Sequence, residues 1–168
     1  MLHDEKIINL LNTFASILNN MENIRLTKKF QFEMAHALFG YDGPCKNIHG
    51  HSYELQVTVI GKPGSRQDHV KFGMVIDFTD LKAIVKTKIV DEMDHALVLN
   101  GNSPHRQLEN LNDSFEKVIF VDYQPTCENM LIDFKNRIIS LLPPHVKLHS
   151  MSLRETANSY AEWYASDN

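Results

Sequence analysis

Cys45-Lys46-Asn47-Ile48-His49-Gly50-His51, running on through Ser52-Tyr53-Glu54-Leu55-Gln56-Val57-Thr58-Val59-Ile60, decides how this chain is read. From His51 the residues alternate, with Tyr53, Leu55, Val57 and Val59 on one side and mostly polar partners on the other, the period of a half-buried strand. Because that period is two, His49 and His51 begin the face that Tyr53 and Leu55 continue. Two imidazoles there serve no packing purpose and suit a shared metal ion. A third stands upstream: Phe30, Phe32 and Met34 alternate in the same way, and that strand, entered from Ile24, delivers His36 at its far end. The turn-rich link Phe39-Gly40-Tyr41-Asp42-Gly43-Pro44-Cys45 makes the two strands a hairpin and brings Cys45 back over the histidines. Three neutral imidazoles leave a tetrahedral zinc ion one position open, as catalytic zinc requires, whereas Cys45 as a fourth ligand would close the shell and make the zinc structural. Spacing leaves both arrangements open.

Outside this hairpin the sequence sets bounds. With 168 residues, 43% of them hydrophobic, the chain fills one core and is short for two. Net charge is -4 and no basic cluster exceeds Lys28-Lys29, which argues against nucleic acid or an anionic membrane surface and for a small-molecule partner. Asp4 and Glu5 stand where a signal peptide would be basic, and no apolar run approaches a membrane span, so a cytoplasmic protein is expected. In a reducing compartment Cys45, near the histidines, reads as metal-linked or reactive and Cys127 as a packing residue, rather than the two as a disulfide.

Ile7, Ile8, Leu11, Phe14, Ile17 and Leu18 fall at helical spacing over Asp4–Asn20, an amphipathic N-terminal helical extension (1–23) laid on a single domain (24–168). After the hairpin, Phe78, Leu81, Ile84, Val85 and Ile89 mark a helix capped by Asp77 or Thr79 and ending near Asp94-His95. Residues 100–114 read as a polar surface loop and Lys117–Asp122 as a short strand. Thr126 caps a helix from Glu128 to about Leu141, which Pro143-Pro144 stops. Val146–Glu155 is the last strand, before an aromatic tail. The expected fold is α+β, an antiparallel four-stranded sheet with helices packed on one face.

The motifs Phe32-x-x-Ala-His36, Cys45-x-x-x-His49-Gly-His51, Val75-x-Asp-Phe-x-x-Leu-Lys82, Asp94-His95, Pro125-Thr-x-Glu-Asn129 and Glu155-Thr156 occur in this order. Together they resemble the 6-pyruvoyl-tetrahydropterin synthase family. The gap between Cys45 and His49 resembles the bacterial branch, the 6-carboxy-5,6,7,8-tetrahydropterin synthases of queuosine biosynthesis, more than the animal 6-pyruvoyl enzymes. The resemblance implies a tunnelling fold, Zn2+ on His36, His49 and His51, and 7,8-dihydroneopterin triphosphate as substrate. It implies that Cys45, Asp94 and His95 transfer protons, with Cys45 off the metal. Glu155 would anchor the pterin through paired N–H donors, with Thr126 near the ring. Family members join their sheets into a barrel, as a homohexamer (a dimer of trimers) with pockets at subunit interfaces, which removes open sheet edges. Two alternatives stand beside this one: a 6-pyruvoyl synthase, and a non-catalytic zinc-stabilised binding protein. The N-terminal helix and the long segment over 100–123 are extra to the pattern, and the triphosphate contacts are not legible beyond the candidates Lys46 and Lys71.

Overall fold

Alternation along Ile24–His36 and His49–Gly61 produces the two longest strands, β1 and β2, of a computed structural model that describes residues 22–168. The helix expected over Asp4–Asn20 lies outside the described residues. β1 and β2 form an antiparallel hairpin in which Phe32 faces Tyr53, Met34 faces His51 and His36 faces His49. This register puts all three histidines on the side that carries Phe30, Phe32, Tyr53 and Leu55, which are buried.

The remaining elements are helix α1 (Phe78–Val85), β3 (Ala96–Asn100), β4 (Val118–Val121), helix α2 (Cys127–Ile138), β5 (Val146–Thr156) and β6 (Ser159–Tyr164). α1 continues through wider turns at Lys86–Val90 and a last turn at Asp91–Met93. The described residues therefore form a sheet of six strands, in the order β4-β3-β1-β2-β5-β6, where four were expected. It is also mixed rather than wholly antiparallel, since β3 runs parallel to both β1 and β4. β3 escapes the alternating pattern because both its faces are buried: Ala96 and Val98 face one layer and Leu97 and Leu99 the other, so the run is apolar throughout. β6 turns back from β5 through the tight link Ala157-Asn158, and the expected aromatic tail is an edge strand.

Both helices pack on one face, as expected. Leu81, Val85, Ile89 and Met93 of the first, with Met130, Leu131, Phe134 and Ile138 of the second, close over Phe32, Leu55, Val57 and Leu153. Phe32 stacks on Tyr53 at 5.4 Å and meets the edge of Phe134 at 6.2 Å. Each such buried side chain contributes about 1.5–3 kcal/mol. The opposite face carries a smaller cluster of Ala37, Leu97 and Leu99, covered by Leu111 from one helical turn (Leu111–Ser114) in the long segment before β4.

Caps fix where the helices begin. Asp77 Oδ1 accepts from the Thr79 N–H at 2.7 Å, which resolves the choice between Asp77 and Thr79 for α1. Thr126 Oγ1 accepts from the Asn129 N–H at 3.3 Å and starts α2 beside the ends of β1 and β5.

Candidate metal and substrate site

His36, His49 and His51 converge, their ligand nitrogens all within 4.8 Å of one another. Ring centroids lie 4.6 Å (His36 and His49), 5.3 Å (His36 and His51) and 4.9 Å (His49 and His51) apart. Gly50 between two of them sits in close approach, since a Cβ there would stand 3.3 Å from the Met34 carbonyl oxygen across the hairpin.

The outer hydrogen bonds set which nitrogen points inward. His36 Nδ1 donates to the Pro125 carbonyl at 2.7 Å, and His49 Nδ1 to the Asn47 carbonyl at 2.8 Å. Each ring thus carries its proton outside and presents a bare Nε2 to the centre, the orientation that a carbonyl behind a metal-binding imidazole imposes. Nε2 of His49 and of His51 are buried with no hydrogen-bond partner among the described residues. Burial holds His36 and His51 below the ordinary histidine value of 6.5, and so keeps them neutral. Glu155 Oε1 stands 3.4 Å from His36 Nε2 and 3.9 Å from His51 Nε2. Acceptors facing acceptors at that range are an arrangement a cation relieves, and the donor set fits zinc.

Beside the imidazoles lies a cavity of about 300 Å³ whose lining includes His36, Cys45, His49, Thr126 and Glu155. The link between β1 and β2 brings Cys45 there: Leu38 N–H donates to the Cys45 carbonyl at 2.9 Å, and Pro44–Lys46 form a single tight turn. The thiol borders the cavity but falls outside the set of converging ligand atoms. Tyr53, 1% exposed, donates its hydroxyl to Glu155 Oε1 at 3.0 Å, and its oxygen is 3.5 Å from His36 Nε2. Burial and that carboxylate push the Tyr53 phenol far above its ordinary value, so it remains a donor. Cys127 is half-buried, its thiol pushed up to about 11 by burial and donating to the Leu153 carbonyl at 3.1 Å, a packing role as expected.

Asp94 and His95 sit elsewhere. They end the helix that begins as α1, and His95 lines a second cavity of about 450 Å³ with Glu33, His51, Ser52 and Lys117. Asp94 Oδ1 accepts from the Glu33 N–H at 3.0 Å, which holds its carboxyl below the usual range, and lies 3.1 Å from His95 Nδ1. His95 takes a left-handed backbone, φ 59°, and its side chain is 78% exposed. Seven of the eight expected site residues thus line two cavities, His36, Cys45, His49, Thr126 and Glu155 the first and His51 and His95 the second, while Asp94 stands against His95. Lys71, on the loop before α1, is paired with Asp80 of that helix and lines neither cavity.

Two further participants were not among the residues the sequence singled out. The carbonyl of Pro125 carries no signal in a sequence. Tyr53 does, as a residue with a polar tip on the buried face two positions beyond His51.

Residues 25–166 match the sequence profile of the 6-pyruvoyl tetrahydropterin synthase family. The chain is 38% identical over 144 residues to the 6-carboxy-5,6,7,8-tetrahydropterin synthase of Haemophilus influenzae, covering 83% of this chain and 97% of that protein. To the enzyme of the same name from Aquifex aeolicus it is 33% identical over 161 residues, covering 82% and 96%. Its fold is similar to that of a Wolinella succinogenes protein (TM-score 0.70, 20% identity, 86% of this chain and 99% of that one). The Caenorhabditis elegans 6-pyruvoyl tetrahydropterin synthase shares it too (TM-score 0.62, 22% identity, 86% and 97%). Among the described residues no helix is long and apolar enough to cross a membrane.

Proposed function

The chain belongs to the 6-pyruvoyl tetrahydropterin synthase family, and we propose that it converts 7,8-dihydroneopterin triphosphate to 6-carboxy-5,6,7,8-tetrahydropterin, releasing acetaldehyde and triphosphate, in queuosine biosynthesis. The observation that carries this is the pair of buried, unpartnered Nε2 atoms of His49 and His51 facing His36 at the edge of a cavity that also holds Cys45 and Glu155. Relatives named for the 6-carboxy product support that choice, as does the Cys45-x-x-x-His49 spacing.

His36, His49 and His51 hold Zn2+, which when bound supplies Lewis acidity toward the hydroxyls of the substrate side chain. Glu155 accepts the ring N–H and the exocyclic amine of the pterin, and so turns its side chain toward the imidazoles. The Tyr53 hydroxyl keeps that carboxylate in place. Cys45, off the metal, takes and returns protons at the side-chain carbons, for which a thiol near a cationic centre is suited. His95, held by Asp94, completes the transfer set.

Within one chain His95 lines the second cavity, not the one lined by Cys45. That separation supports a site completed by a neighbouring copy, in a homohexamer built as a dimer of trimers. Among the described residues β4 and β6 each leave one edge of the sheet unpaired, and closure of sheets into a barrel would satisfy those backbone groups.

The test is zinc quantification with product analysis on the wild type and Cys45→Ala. The wild type should hold about one zinc per chain and release acetaldehyde with triphosphate. Cys45→Ala should keep its zinc and lose turnover. Loss of zinc from that variant would make the site a closed, structural one. Triphosphate without acetaldehyde would mean a 6-pyruvoyl synthase, and a zinc-loaded wild type that forms no product would mean a binding protein.

A further inference from the structure

We infer that Lys117, in the long segment before β4, is a positioning residue that holds the Asp94-His95 turn through the two main-chain carbonyls on which its ammonium closes. This rests on the proposed role of Asp94 and His95 in proton transfer.

The helix that begins as α1 ends abruptly here. In a continuing helix the His95 N–H would bond back to the Asp91 carbonyl. Instead it donates to the Glu33 carbonyl of β1 at 2.6 Å, and His95 swings into the left-handed region. A residue with a β-carbon disfavours that region and stays there only when its surroundings over-determine it. The departure strips the last turn of donors. Lys117 Nζ replaces them, donating to the Asp94 carbonyl at 2.7 Å and to the Asp91 carbonyl at 3.1 Å. A cation at a helix C-terminus is also favoured by the dipole.

The lysine is itself anchored. Its carbonyl accepts from the Leu97 N–H at 2.9 Å, one residue before β4 joins β3. Its stem lines the cavity that His95 enters. The turn is thus gripped on two sides, by Glu33 through the Asp94 carboxylate and the His95 amide, and by Lys117 through the Asp94 carbonyl. If only Glu33 held it, the dyad could pivot about β1 and carry the imidazole out of line. The long segment between β3 and β4 thereby delivers the lysine that prevents this.

The experiment is steady-state kinetics on the zinc-loaded enzyme, comparing Lys117→Met, Lys117→Arg, His95→Gln and the double variant Lys117→Met/His95→Gln, with zinc content and thermal unfolding measured for each. Misplacing a reacting group by about 1 Å can cost around a hundredfold, so Lys117→Met should lose about 10- to 100-fold in kcat, with KM within about twofold and zinc unchanged. Lys117→Arg, which keeps donors for both carbonyls, should restore most of the rate. In the His95→Gln background the Met substitution should cost nothing further, because the two act through one group. Should Lys117→Met not fold, Lys117→Gln keeps one donor and carries the same comparison. An unchanged kcat in Lys117→Met, beside an inactive His95→Gln, overturns the inference and leaves the proton-transfer role standing. Full activity in His95→Gln removes both. A loss that persists undiminished in the double variant, or one confined to KM or to unfolding temperature, also overturns it.

Discussion

Replacing Glu155 with Gln and, separately, with Ala divides what this carboxylate does for a ligand from what it does for the fold. In the protein its Oε1 accepts the Tyr53 hydroxyl at 3.0 Å and faces two imidazole nitrogens, while the side chain as a whole borders the cavity and is 23% exposed. A pterin offers it two parallel donors, each hydrogen bond to the charged group being worth about 1.5–3 kcal/mol. Gln keeps one acceptor oxygen but turns an amine toward the second donor, so about 3 kcal/mol is lost, two orders of magnitude in dissociation constant. The amide oxygen still receives Tyr53, and stability should hardly move. Ala removes that acceptor too and leaves the buried phenol only His36 Nε2, at 3.5 Å, a further cost of about 1–3 kcal/mol to the fold. Pterin binding is read by fluorescence titration and stability by thermal unfolding of the same samples. Glu155→Gln should bind about a hundredfold more weakly at an unchanged melting temperature, and Glu155→Ala should lose both. If Gln binds pterin within a few-fold of the wild type, Glu155 does not anchor the ring; if Ala melts with Gln, the Tyr53 bond is not a structural one.

Two further outcomes follow from the site. Burial depresses His36 and His51 below 6.5, so the unfolded chain binds more protons than the folded one below that pH; the stability they contribute is complete above it and lost as pH falls through the folded values. Metal-free protein, prepared with a chelator, should therefore melt progressively lower from pH 7.5 to pH 5.5, and a flat or rising profile would contradict the neutral, buried assignment. Thr126→Ala deletes the cap of α2 at about 1 kcal/mol, a fall of roughly 2–4 °C in a domain of this size, and Thr126→Ser should restore it in differential scanning calorimetry.

The hairpin was legible because its two strands each keep one face buried, so hydrophobic alternation puts His36, His49 and His51 on one face, and the link between the strands completes the register that pairs His36 with His49. β3 was not, since a strand buried on both faces has no alternation to read and a run of Ala96-Leu-Val-Leu is as compatible with the end of a helix. β6 failed for another reason: Tyr160, Ala161, Trp163 and Tyr164 do not alternate with polar residues, because only Ala161 and Trp163 of this edge strand turn toward the core, and the two-residue turn at Ala157-Asn158 was the remaining signal.

At the site, the side chains proposed to act directly were visible as residue types at meaningful spacings, and the groups that aim them were mostly not. His36 and His49 owe the orientation of their Nε2 atoms to main-chain carbonyls of Pro125 and Asn47. Every residue carries a carbonyl, so composition cannot mark these two. The same holds at the second cavity, where Asp94 is fixed by the amide of Glu33 and the turn by a lysine twenty-odd positions downstream. Such contacts follow from which strand lies beside which, and the parallel pairing of β3 with β1 and β4 was the part of the topology that periodicity did not reveal. The missing strand and the missing positioning residue therefore have one cause: Lys117 reaches Asp94 because β4 is docked on β3, and β3 was the strand whose burial on both faces hid it.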